Sequence, residues 1–178
     1  MSEQWPTWAT QAVEIRAWNP TWQQEAIDLI GDLGARLEPW LGGCIEHVGS
    51  TAVPNLAAKP IIDLMAPVAS LSESGNADRA LAEAGWHLVP PELDGRPWRR
   101  MYVLPDGDRR TAHLHLVESG HPRWHEALRF RNQLRQHPEL AEKYARLKRI
   151  AAEVHRRDRD AYTEAKSAFV REVIRDAI

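Results

Sequence analysis

Gly49-Ser50-Thr51 reads as a tight glycine turn, and twelve residues separate Ser50 from Asp63. Two short apolar runs, Cys44–Val48 and Ile61–Ala66, flank the stretch, and the loop between them closes at Lys59-Pro60. Strand, glycine turn, loop and strand with a carboxylate is a common way to build a phosphate site. The backbone N–H groups of Gly49, Ser50 and Thr51 would cradle an anion, Lys59 would pair with a phosphate, and Asp63 would hold a metal ion above it. The competing reading is a hairpin-like connection with one exposed aspartate. In it Ser50 and Thr51 are turn residues only, and Lys59 is simply the partner of Asp63.

A second informative place lies further along. Trp98–Leu104 and Arg110–Val117 flank Asp106-Gly107, a pair suited to a two-residue hairpin turn. In that register Arg100 faces His113, Tyr102 faces Thr111 and Trp98 faces His115, so these six side chains share one face of a sheet. Met101, Val103, Ala112, Leu114 and Leu116 then form an apolar opposite face. The polar face predicts substrate binding by Trp98, Arg100 and His113, together with Gly49, Ser50, Thr51 and Lys59. Asp63 and His115 are the candidate catalytic pair. A one-ion metal site would combine Asp63 with Glu46 or with a histidine such as His115. Oxygen donors suit Mg²⁺, and a histidine shifts the preference to Zn²⁺, Mn²⁺ or Ni²⁺. His-X-His alone is a common pattern, since alternate residues on any strand share a face, so an ordinary solvated face is the alternative.

The elements that must position these residues follow from periodicity. Residues 1–12 read as a loose arm, and Val13–Trp18 alternates like an edge strand. Asn19 is placed to cap a helix over residues 20–38, with Pro20 at its first position and Trp22, Ala26, Leu29, Leu33 and Leu37 on its inner face. Residues 44–48 and 61–66 are expected as central strands, Pro67 ends or edges the second, and residues 73–84 form a helix closed by Gly85. From Pro122 onward the pattern is helical, broken at His137-Pro138, with a last helix over 159–176 that turns Tyr162, Ala165, Phe169 and Ile174 inward. Arg129, Arg131 and Arg135 cluster on one of these helices, either as a solvated face or within reach of a phosphate. The sum is an α+β fold, a mixed sheet of about five strands backed by helices, with a helical C-terminal third and a single domain spanning 1–178.

Residues 45–63, Ile-Glu-His-Val-Gly-Ser-Thr-Ala-Val-Pro-Asn-Leu-Ala-Ala-Lys-Pro-Ile-Ile-Asp, closely resemble the signature of the GrpB family. The resemblance continues through Ala112-His-Leu-His115, Phe130 to Arg135, His137-Pro-Glu-Leu-Ala141, Tyr144, Lys148 and Tyr162-Thr-X-X-Lys166, nearly the whole chain. The main departure is Asn55, where the family usually has glycine. The resemblance implies a nucleotidyltransferase-like fold. Nucleotidyltransferases of the polymerase-beta type follow a Gly-Ser turn with two carboxylates on alternate strand positions and a third on a neighbouring strand. These hold two divalent ions that clamp the attacking and leaving oxygens. Here Asp63 fits, but the second position is Met65, whose thioether is no ligand for Mg²⁺, and the neighbouring strand offers His113 and His115. GrpB-like domains also occur fused to dephospho-CoA kinase.

Composition bounds the rest. The chain has 178 residues, a net charge of −2 and one cysteine, Cys44, so no internal disulfide forms and a reducing, cytoplasmic setting is expected. No run approaches the ~20 apolar residues of a membrane span, and Met1-Ser-Glu-Gln lacks a signal-peptide core. There is no overall basic bias toward nucleic acid. Two function classes remain: an enzyme transferring a nucleotidyl or phosphoryl group, and an inactive nucleotide- or coenzyme-binding module. Either would take a phosphate-bearing small molecule.

Overall fold

The structure, a computed structural model, describes residues 7–175. Along it run α1 (Thr21–Leu37), β1 (Glu46–Val48), β2 (Ile62–Val68), α2 (Ala77–Glu83), β3 (His87–Leu88) and the one-turn helix α3 (Pro91–Asp94). These are followed by β4 (Arg99–Asp106), β5 (Arg109–Glu118) and three helices, α4 (Pro122–Gln136), α5 (Pro138–Val154) and α6 (Arg159–Arg175). The fold is α+β. Its five-stranded mixed sheet has the order β1-β2-β5-β4-β3. β2 and β5 run parallel, and the other neighbours are antiparallel.

One face of the sheet is the main core. Ile62, Leu64 and Ala66 of β2 and Ala112, Leu114 and Leu116 of β5 meet Trp22, Ala26, Leu33 and Leu37 of α1 and Leu81 of α2. These side chains alternate along their strands, as a half-covered sheet requires. Asn19 Oδ1 accepts the Thr21 N–H at 3.0 Å, so the expected cap is made. On the other face, Trp124, Ala127 and Leu128 of α4 pack over Val48, Met65 and Val117. Pro138 opens α5 directly behind α4, and Val53 and Leu56 of the loop after β1 are pinned by Leu134, Tyr144 and Ala145.

The structure differs from expectation in five places. Residues 44–48 are not central: β1 is three residues long and sits at the sheet edge, although it does pair with β2. Val13–Trp18 makes one isolated bridge, Arg16 with Ala58, rather than an edge strand, because its side chains are claimed by the C-terminal helices, Val13 lying against Tyr162 and Ala151. Of the arm, residues 1–6 lie outside the described residues. The rest is held down: Trp8 O accepts from Arg110 Nε at 3.0 Å, and Gln11 Oε1 from the Arg110 N–H at 3.0 Å. Pro67 lies inside β2 rather than ending it. Its carbonyl accepts from the Gly42 N–H, so its missing donor falls on the flank where β1 has already stopped.

The fifth difference decides the site. The hairpin turns at Gly107-Asp108, one residue later than expected, since Asp106 pairs with Arg109. Moving the turn alone slides the register by two and keeps every face. A bulge between Leu104 and Pro105 then adds one unpaired residue, so Arg100 pairs with Leu116, Met101 with His115 and Val103 with His113. An odd offset turns β4 over relative to β5. Pro105 offers no N–H to a regular ladder, which is a physical reason for the irregularity to sit there.

Candidate functional site

The parallel pairing sets Asp63 beside His113 and Met65 beside His115, all four on the face turned toward α4–α6. His113 Nδ1 lies 2.9 Å from Asp63 Oδ1, and His115 Nε2 lies 3.9 Å from the same oxygen. Burial alone would raise the Asp63 carboxyl, but the favourable contacts of His113 and His115 outweigh it and hold the group well below the usual carboxylate range. Burial lowers His115 to about 4, so that ring is neutral at pH 7.

Gly49 covers this carboxylate. Its φ is +71°, a conformation that side chains avoid, and a Cβ there would meet Asp63 Oδ2 at 2.5 Å. One of the turn hydroxyls is used inside the protein, and the Ser50 side chain neighbours the Tyr144 phenol. Thr51 is buried; its hydroxyl donates to Ile61 O at 3.2 Å and accepts from His47 Nε2 at 2.9 Å. His47 is a buried core histidine, and burial lowers it to about 4.

The face, the glycine turn and the three C-terminal helices enclose a cavity of about 1400 Å³. It brings together Gly49, Ser50, Thr51, Lys59, Asp63, His113 and His115. It leaves out three residues read as site candidates. Arg100 lies on the opposite face, where it and the Tyr102 hydroxyl both bond to Asp78, at 2.5 and 2.6 Å; the bulge put it there. Trp98 precedes β4 and stacks on His121 outside the cavity, ring centroids 5.9 Å apart. Glu46 is drawn away from Asp63 by Arg131, whose Nη1 sits 2.6 Å from the carboxylate and also donates to His47 O at 2.8 Å. That contact, with Arg135 Nε donating to Ala52 O, gives two of the three clustered arginines structural work.

Sequence reasoning missed the strongest charges. Lys148 is buried, with Nζ 2.5 Å from Ala57 O and 4.7 Å from the Tyr144 ring centroid. Lys166 lies half-buried, its Nζ 3.9 Å from the Tyr162 ring centroid, and Lys59 approaches the same ring at 3.9 Å. Burial lowers Lys148 to about 7, helped by the charge of Lys166, and lowers Lys166 to about 8. Among the described residues no ion pair engages either lysine. Their one trace in the sequence is a spacing: Tyr144-X-X-X-Lys148 and Tyr162-X-X-X-Lys166 place a tyrosine and a lysine on one helix face twice over. Nine lysines and arginines and four carboxylates line the cavity, in a chain whose net charge is −2.

The donor set does not suit a pair of Mg²⁺ ions. Asp63 is the one carboxylate at the centre, the next position is the thioether of buried Met65, and Glu46 is engaged elsewhere. Asp63, His113 and His115 do bring one donor atom each to within 4.8 Å of one another, a set that by composition suits a single Zn²⁺ or Mn²⁺ better than Mg²⁺.

The family model described as GrpB protein matches residues 12–176. The chain belongs to the GrpB family. A glutamate-rich protein GrpB from Alkalihalophilus pseudofirmus is 36% identical over 135 residues, 74% of this chain and 77% of that protein. UPF0157 protein YqkA of Bacillus subtilis is 37% identical over 71% of this chain, and the match spans only 36% of YqkA. A dephospho-CoA kinase of Mycolicibacterium paratuberculosis is 29% identical over 75% of this chain and 38% of its own length. Among solved structures, GrpB from Enterococcus faecalis superposes with a TM-score of 0.80 at 29% identity, covering 92% of this chain and 96% of that one. The Cid1 poly(U) polymerase stands further off, with a TM-score of 0.49 at 14% identity over 85% of this chain and 49% of that one. No helix among the described residues is long and apolar enough to cross a membrane.

Proposed function

We propose that this GrpB protein binds a phosphate-bearing small molecule, of nucleotide or coenzyme type, in the cavity between the sheet and α4–α6. The placement of Lys148 and Lys166 carries the reading. Ammonium groups drawn into a cavity wall without a carboxylate partner are costly, and an anionic ligand is the natural way to offset that cost. Lys59 and the amides around Gly49 add donors on the same side. A cavity of about 1400 Å³ has room for a nucleotide or a coenzyme fragment. The likeness to dephospho-CoA kinases favours the coenzyme type.

A second reading, transfer of a nucleotidyl or phosphoryl group, is favoured by Asp63 at the centre of that cavity. A carboxylate held ionised beside bound phosphate would accept the proton of an acceptor hydroxyl as its oxygen bonds to phosphorus and the bond to the leaving oxygen breaks. His115 would orient the phosphate and protonate nothing, being neutral and N–H bearing.

Thermal denaturation with pyrophosphate, ATP, UTP, CoA or dephospho-CoA tests the first reading. A ligand at a hundredfold excess over its Kd stabilises the protein by about 2.7 kcal/mol. Lys166→Gln should weaken the effective ligand about tenfold, the loss of one charge-assisted contact. If none of these compounds shifts the transition, the reading fails. Asp63→Asn separates the two readings, because it should abolish any turnover and leave binding in place.

A further inference from the structure

Asp94 and Arg99 have no part in the reading so far, yet both are buried at the cavity wall, with side chains 5% and 10% exposed. Asp94 ends the one-turn helix α3. Arg99 grips it with two parallel contacts, Nε to Oδ2 at 2.9 Å and Nη2 to Oδ1 at 2.5 Å. This fork fixes the plane of the guanidinium. The remaining nitrogen, Nη1, lies 2.8 Å from His115 Nδ1. A guanidinium has only hydrogens to offer, so Nδ1 must present a lone pair, and the neutral ring carries its hydrogen on Nε2.

That hydrogen faces the site. His115 Nε2 is 3.9 Å from Asp63 Oδ1, longer than a full hydrogen bond, and so remains able to donate to a ligand oxygen. His113 Nδ1 stands 2.9 Å from the same carboxylate oxygen, and a carboxylate only accepts, so it too turns a hydrogen inward. The two rings therefore present N–H groups where a bound cation would need lone pairs. Using His115 Nε2 as a metal ligand would put a hydrogen on Nδ1, pointing at an N–H of Arg99 only 2.8 Å away. The guanidinium would also add its charge to that of the ion.

We infer that Asp94 and Arg99 are a positioning pair that locks His115 as a hydrogen-bond donor, and that this centre takes its phosphate ligand free of a divalent metal ion. The inference rests on the phosphate-ligand reading above for the ligand, and on geometry alone for the tautomer. It reverses the sense of the Asp63-His113-His115 cluster, from a cation cage to a set of donors around one oriented carboxylate.

Three measurements on the full chain test it. A long-range ¹H–¹⁵N correlation spectrum, with His115 assigned through His115→Gln, should show Nε2 protonated and Nδ1 bare; a ring protonated on Nδ1 alone overturns the lock. Calorimetric titration with pyrophosphate should give the same Kd in EDTA as in Mg²⁺ or Mn²⁺; binding that requires the ion overturns the metal-free assignment. Zn²⁺ should bind Arg99→Leu about tenfold or more tightly than the wild type, because a partner holding the ring is gone. Equal affinity, or tight wild-type binding lost in His115→Gln, overturns the proposal. If Arg99→Leu does not fold, Asp94→Leu combined with Arg99→Leu removes both charges and carries the same comparison. Should none of pyrophosphate, ATP, UTP, CoA and dephospho-CoA bind under any condition, the phosphate-ligand reading falls with the metal-free assignment, while the spectrum and the Zn²⁺ titration still decide the lock.

Discussion

Gly49 lies so close over the Asp63 carboxylate that a Cβ on it would sit 2.5 Å from Oδ2. The turn and the acid therefore form one rigid unit. Gly49→Ala is expected to lose about 1–3 kcal/mol from a backbone conformation (φ +71°, ψ −168°) that essentially only glycine adopts, and more from the collision. Because the carboxylate must move, ligand affinity should fall along with the melting temperature. An alanine variant that keeps both would show that the close approach has no consequence.

Asn55 is the only described non-glycine residue with positive φ, at 63°. This accounts for the glycine that the family usually carries there: the loop needs a left-handed residue, and asparagine is among the few others that adopt it readily. Asn55→Ala should cost about 1 kcal/mol, and Asn55→Gly should be neutral or slightly stabilising. In a chain of this size 1 kcal/mol moves the melting temperature by about 2–4 °C. Calorimetry of the two variants checks the order; alanine melting at or above glycine would contradict it.

The lysines set a pH dependence. Burial holds Lys148 at about 7 and Lys166 at about 8 in the folded chain, against an ordinary value of 10.5. Between those values and 10.5 the unfolded chain binds more protons, so these groups make stability rise with pH across that window, and their cost is full below 7. An anionic ligand works the other way. It favours the charged lysines, so binding near pH 8 should take up protons. Affinity should then weaken as pH rises, by at most about tenfold per unit for each proton. Titrations in buffers of different ionisation enthalpy read the proton uptake directly. Zero uptake at pH 8 would remove the lysines from the ligand site.

Arg131 and Arg100 provide controls. Arg131→Ala leaves Glu46 and the His47 carbonyl without their shared donor and should cost about 1–3 kcal/mol. Arg100→Ala removes the contacts of Arg100 to Asp78 and to the Tyr102 hydroxyl on the far face. Neither residue lines the cavity, so the Kd for pyrophosphate should be unchanged in both. A tenfold loss in either variant would mean that the cavity has been drawn too small.

Much of this arrangement was legible before the fold was known. The sheet, its β1–β2 pairing, the long helices and the grouping of Gly49, Lys59, Asp63, His113 and His115 follow from local signals: a glycine turn, strand alternation and helical periodicity. What was not legible depended on single residues acting non-locally. One extra residue at the Leu104–Pro105 bulge sent Arg100 to the far face, and turn chemistry alone gives no warning of it. Glu46 looked available until Arg131, from a helix far along the chain, reached it. Lys148 and Lys166 were hidden by their residue type, since lysines at helical spacing usually belong to a solvated face.

The bond between His113 and Asp63 joins residues fifty positions apart, on strands that run parallel with two strands and two helices between them. Such a pairing gains nothing until the long intervening segment has closed, so the closure entropy must be met before the contact contributes. The centre of the cavity therefore has no local precursor. A fragment ending before β5 would carry the whole Gly49–Asp63 stretch and still have no site. A ligand at Asp63 should accordingly slow hydrogen exchange in β2 and β5 together, as one cooperative unit, rather than only at the residues it touches.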